Sequence, residues 1–138
     1  MPKNQNIAAT TIFDPIRKKY VLRTPEEEVR QRILRYLIDV KGYPVSRIAV
    51  EKELTVKGLK KRTDILYYDK LAQPALLVEC KAPRVKISQR TFDQAFRYNL
   101  NLGVRFVVIT NGEETYCCQL ENDSYTFLHD IPDHSEIE

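Results

Sequence analysis

The segment Pro74–Pro83, PALLVECKAP, constrains this chain more than any other. Leu76, Leu77 and Val78 run together, as on a strand buried on both faces. Glu79 and Lys81 follow two residues apart before Pro83 closes the run. Charges at the end of a core strand are costly unless they are paired or bound to something. Alternation along a strand puts Glu79 and Lys81 on one face. Any fold that accepts this segment must open the end of a core strand onto a polar site.

The flanking segments set the frame around that strand. TPEEEVRQRILRYLIDVKGYP predicts a helix, with Thr24 as N-cap, Pro25 at the first helical position and acids in the first turn. Val29, Ile33, Tyr36, Leu37 and Val40 recur at helical spacing, and Gly42 and Pro44 stop the helix. RIAVEKELTV and RTDILYYD flank KGLKK, rich in β-branched and aromatic residues around a glycine, which predicts a hairpin. SQRTFDQAFRYNLNLG predicts a second helix between Ser88 and Gly103. VRFVVITNG is apolar on both faces and therefore a central strand. ETYCCQLEN and SYTFLHD read as a closing pair. The order α-β-β-β-α-β-β-β gives an α/β fold, a mixed β-sheet flanked by helices. At 138 residues the chain has room for one domain with a real core. Residues 1–22 read as a loosely held arm with a short strand near KKYVLR, residues 23–128 as the domain, and 129–138 as a frayed acidic tail.

Composition narrows the function classes. A net charge of +3 permits a polyanionic partner without requiring one. No apolar run approaches the roughly 20 residues of a membrane span, and MPKNQNIAATTIFDP lacks the apolar stretch of a signal peptide. Cys80, Cys117 and Cys118 are odd in number, two of them adjacent, with neither disulfide-framework nor zinc spacing. A reducing cytoplasm is the expected location. His129 and His134 are the only histidines, and neither sits in a ligand-spaced motif.

Asp64 lies near the start of the strand that precedes Glu79, and adjacent antiparallel strands bring the two together. Two carboxylates and the main-chain carbonyl of Cys80 make an oxygen-rich site suited to a hard cation such as Mg²⁺ or Mn²⁺. Lys81 is placed to orient or deprotonate an attacking water, the chemistry of phosphodiester hydrolysis. The same spacing also suits a plain surface ion pair. On a helical wheel Glu26 projects towards Ile33 and Leu37, so it is the helical acid that completes the site, or else an i,i+4 partner of Arg30. Glu27 has a local job as the fourth residue of a Thr-x-x-Glu capping box. Gln94 and Tyr98, four apart, either position a phosphate or water or make a helix-flank hydrogen bond. Lys57, Lys60, Lys61, Arg62, Arg84 and Lys86 bracket the site and could contact a nucleic-acid backbone. A solvated surface explains each of them equally well.

TPEEEVRQ, RTDILYYD, VECKAP, QAFRY and GVRFVVITNG, in that order, resemble the N-terminal nuclease domain of type I restriction enzyme R subunits, in the PD-(D/E)XK nuclease superfamily. The resemblance covers roughly Arg23 to Leu120. It implies a restriction-endonuclease-like αβββαβ core, here with extra C-terminal strands, and Mg²⁺-dependent cleavage of DNA. By position, Asp64 and Glu79 would bind metal, Lys81 would serve catalysis and Glu26 would be the helical acid. Gln94 and Tyr98 match the Gln-x-x-x-Tyr motif that RecB-like nucleases share. Thr63 stands where the superfamily signature has proline. The chain shows no Gly-x-x-x-x-Gly-Lys phosphate loop, so translocation and specificity are expected to come from elsewhere or to be absent, with separate motor or specificity subunits as candidate partners. A non-catalytic nucleic-acid-binding module and a protein-interaction domain on the same fold are the alternatives.

Overall fold

The computed structural model describes residues 10–138. Its centre is a six-stranded mixed sheet in the order β3-β4-β5-β6-β7-β8, with β3 Ile48–Val56, β4 Leu59–Tyr68, β5 Pro74–Cys80, β6 Phe106–Thr110, β7 Thr115–Glu121 and β8 Ser124–Leu128. Neighbouring strands are antiparallel except β5 and β6, which are parallel and occupy the middle. Their crossover is the helix α2, Gln89–Leu102. A parallel pair needs such a connection, and the unbroken apolar runs of β5 and β6 fit strands covered on both faces. β6 is buried at all five positions.

The helix α1, Pro25–Arg35, packs on one face of the sheet, where Val29, Ile33 and Leu34 meet Ile65, Leu76, Val78 and Val108. A π-helical turn over Tyr36–Val40 shifts the helical phase, so Leu37 is buried while Val40 lies exposed. α2 covers the other face, with Phe92 and Ala95 against Val107 and Ile109. Ser88 and Thr91 form a capping box at its start. Gly103, at φ +70°, ends it in the left-handed conformation that glycine adopts without penalty. The β3–β4 connection is tighter than the five-residue KGLKK segment suggests. Only Lys57 and Gly58 turn, both at positive φ, and Leu59 to Lys61 already belong to β4.

Two expectations are corrected. The N-terminal segment is not a loose arm over its described part. Thr11–Asp14 (β1) pairs with Lys19–Leu22 (β2), the strand expected near KKYVLR, in a separate two-stranded sheet, and Asp14 is fully buried. The rest of the arm reading falls on residues 1–9, outside the described residues. The acidic tail is docked, not frayed. Ile131 and Ile137 insert into the main core, and a short helix α3, His134–Ile137, carries Glu138 back to Tyr67, Arg47 and His134. Two apolar anchors and a set of charge-assisted bonds outweigh the local polarity that suggested disorder.

Candidate functional site

The site forms where β4 and β5 part. Their ladder ends at Ile65↔Val78. Two residues beyond Val78, the Cys80 amide, which would otherwise lack a strand partner, donates instead to Asp64 Oδ2 at 2.8 Å. The peptide unit that follows donates its Lys81 N–H to Thr110 O at 2.8 Å, on the β6 side. In a planar trans peptide the Cys80 carbonyl then points the opposite way, towards β4 and Asp64. Asp64 and Glu79 line one small cavity of about 20 Å³, shared with Lys61 and Thr63.

Each carboxylate already has basic partners. Arg30 Nη2 of α1 meets Asp64 Oδ1 at 3.0 Å. On β5, Glu79 Oε1 receives Lys61 Nζ at 3.1 Å, and Lys81 Nζ lies 3.5 Å from Oε2. Lys61 also sits 4.4 Å above the Tyr98 ring, a cation–π contact from α2. Lys61 and Lys81 thus flank Glu79 at the end of β5, Tyr98 lies under Lys61, and Asp64 lines the same cavity as Glu79. Gln94 lies exposed one turn before Tyr98. Lys57, Lys60, Arg62, Arg84 and Lys86 are exposed. Lys61, grouped with them in the sequence reading, is instead half-buried on Glu79.

The helical acid that turns inward is Glu27, not Glu26. Glu26 is exposed and only lines the rim of a neighbouring cleft of about 440 Å³, together with Thr24, Arg30, Glu51 and Arg84. Glu27 is buried, and its carboxylate takes bonds from Arg30 at 2.5 Å, Arg17 at 3.0 Å and Gln31 at 3.1 Å. The capping box is therefore only half formed. Thr24 accepts the Glu27 amide at 3.0 Å, while the Glu27 side chain is committed elsewhere. Arg30 is no partner of Glu26. It joins Glu27, Asp64 and Glu51, the last at 3.2 Å.

Glu51 carried no signal in the sequence. It faces Asp64 across β3 and β4, yet its φ of +53° takes it out of the ladder, which resumes at Lys52↔Thr63. A non-glycine residue held in the left-handed region costs free energy and persists where surrounding contacts impose it. Here Arg17 and Arg30 impose it, with Arg62 at 3.9 Å.

Asp14 anchors the outer edge of this network. Burial alone would raise its pKa, but bonds from the Arg17 amide and guanidinium, the Ile16 amide and Gln31 outweigh that and hold it below the usual 3.8. A carboxyl whose folded pKa is depressed adds stability above its unfolded value, and that stability is lost as pH falls through the folded value. Asp14→Asn is therefore expected to flatten the loss of stability below about pH 4, read from urea midpoints at stepped pH. Wild-type and mutant curves of equal slope there would contradict this. Cys80 is no nucleophile candidate: burial, then the Asp64 charge, pushes its thiol well above the ordinary range, so it stays protonated.

Among the described residues no group of three or more acidic, cysteine or histidine side chains is arranged as a ready metal cage. The donors present nonetheless suit a hard cation. Two carboxylates line a cavity with room for about one water-sized occupant, and the Cys80 carbonyl is directed to the β4 side of β5. The remaining coordination positions would fall to water or to a substrate's oxygens. No helix among the described residues is long and apolar enough to cross a membrane.

Comparison with known proteins fits this architecture. No curated protein matches. Among solved structures, a fragment assigned as an HsdR subunit of a type I restriction enzyme from Vibrio vulnificus YJ016 superposes with a TM-score of 0.63 at 23% identity. That match covers 81% of this chain and 24% of the other, so this chain spans about a quarter of its length. A protein from Anabaena variabilis ATCC 29413 assigned as a nuclease of the DUF820 group matches with a TM-score of 0.53 at 10% identity, over 87% of this chain and 80% of the other. Both likenesses are of fold, the mixed sheet and flanking helices of nuclease-like domains. The model for the type I restriction enzyme R protein N terminus matches residues 25–132, from the first residue of α1 to the docked tail, and the chain belongs to that family.

Proposed function

We propose that this domain hydrolyses phosphodiester bonds in DNA with a divalent cation, Mg²⁺ or Mn²⁺, held by Asp64, Glu79 and the Cys80 carbonyl. The observation that carries the reading is the convergence of Asp64 and Glu79 on one cavity at the parting of β4 and β5, with Lys81 beside Glu79. Family membership and the nuclease assignment of a structural neighbour support it.

When bound, such a cation polarises a phosphoryl oxygen and acidifies water. The chain's own residues do the rest. Arg30 and the Cys80 amide fix the Asp64 carboxylate from two sides, so it is oriented before substrate arrives. Lys81, on the same face as Glu79, is placed to orient the attacking water. Lys57, Lys60 and Arg62 on the β3–β4 hairpin, with Arg84 and Lys86 after β5, supply exposed positive charge for the phosphate backbone. Other subunits of a restriction enzyme are the partners this role calls for.

The site's acids are largely balanced by Arg17, Arg30, Lys61 and Lys81, so cation affinity without DNA is expected to be modest. Calorimetric titration with Mn²⁺ should show saturable binding by the wild type that Asp64→Ala loses. Binding that survives in Asp64→Ala unchanged would place the cation elsewhere and sink the assignment.

A further inference from the structure

We propose that Lys61 is the resident counter-ion of Glu79 and that a divalent cation must displace it to enter. This rests on the reading of Asp64 and Glu79 as cation ligands. Lys61 Nζ lies 3.1 Å from Glu79 Oε1 and on the same small cavity as both carboxylates. Its ammonium therefore holds a Glu79 oxygen that a shared cation would need, at the edge of that cavity, and two positive charges cannot share one carboxylate face without repulsion.

The position is built rather than incidental. The Tyr98 ring of α2 lies 4.4 Å beneath the ammonium, so Lys61 is held by an anion on one strand and a π-face on the opposing helix. The other basic groups of the site do not fit this role. Arg30 is 6% exposed and divided among Glu27, Glu51 and Asp64, so it has nowhere to go without leaving three carboxylates behind. Lys81 lies farther from Glu79, at 3.5 Å, on the oxygen away from Lys61. Lys61 is 37% exposed on a flexible four-carbon stem, and a single charged contact holds it. Among these bases it is the one that can leave at low cost. Strict alternation along β4 groups Lys61 with Thr63 and Ile65, so spacing alone does not pair it with Glu79.

The sign of the effect separates a counter-ion from a ligand-supporting residue. Removing a competing positive charge should tighten cation binding, whereas removing a support should weaken it. The test is calorimetric titration of wild type, Lys61→Met and Lys61→Arg with Mn²⁺ alone, at one ionic strength, with circular dichroism on each protein. Methionine keeps the apolar stem over Tyr98 and drops the charge, and Lys61→Gln serves if Lys61→Met does not fold. Lys61→Met is expected to bind about tenfold more tightly than wild type, and Lys61→Arg like wild type. Binding seen only in Lys61→Met would support the proposal in its strong form. Equal or weaker binding by Lys61→Met, or tightening by Lys61→Arg as well, overturns the counter-ion role while leaving the cation site standing. No saturable binding by any of the three overturns the cation site, and the counter-ion role with it.

Discussion

Arg30→Ala should lower the melting temperature by about 10–15 °C, the largest stability effect expected of any single substitution in the site. The Arg30 side chain is 6% exposed and lies within 3.2 Å of carboxylate oxygens on Glu27, Glu51 and Asp64. Removing one partner from a buried ionic cluster leaves uncompensated charge in low dielectric and costs on the order of 3–5 kcal/mol. The cost falls on three elements at once, because α1, β3 and β4 meet at this guanidinium. Burial works against its charge, yet the Asp64 bond and the neighbouring carboxylates win and raise its pKa, so it stays cationic throughout the accessible range. Arg30→Lys should recover part of the loss, since an ammonium keeps the charge but cannot fork to three acceptors. Thermal unfolding followed by circular dichroism checks this, and a shift of under about 3 °C for Arg30→Ala would show that the cluster is solvated and not structural.

Glu79→Ala has the opposite profile. Its side chain is 19% exposed, and its partners Lys61 and Lys81 are about one-third exposed, so losing both pairs should cost no more than about 1 kcal/mol of stability. DNA cleavage, however, should fall by about a thousandfold or more, because one of the two carboxylates at the cavity is gone. A folded, equally stable and inactive protein separates a chemical role from a structural one.

The frame of this fold was legible because periodicity and punctuation agreed. The apolar runs of β5 and β6 announced central strands, Ser88 and Gly103 bounded α2, and the hairpin residues announced a turn. Asp64, Glu79 and Lys81 were legible because strand alternation and the antiparallel neighbour fix their relative places. A single apolar face on the helical wheel points to Glu26, and the Thr-x-x-Glu spacing gives Glu27 a local role. α1 buries two faces: Val29, Ile33 and Leu34 meet the sheet, while on the other side Glu27 and Gln31 are bonded to Arg17 and Asp14 of the β1–β2 hairpin and Arg30 to Asp64 and Glu51. Reading that hairpin as a loose arm hid the second face. Glu51 could not be found locally. Its backbone conformation is imposed by Arg17 and Arg30, which arrive from distant parts of the chain. The tail's acidity masked Ile131 and Ile137, whose burial depends on a groove formed by other elements.

The measurement that reaches the central claim most directly is cleavage of plasmid and single-stranded DNA by wild type and Glu79→Ala, side by side, in Mg²⁺ or Mn²⁺ and in excess chelator. The account requires cleavage by the wild type that the chelator stops and that Glu79→Ala lacks at equal folded concentration. A wild-type protein that is folded and cuts neither substrate with either cation, or a Glu79→Ala protein that cuts as well as wild type, would contradict it.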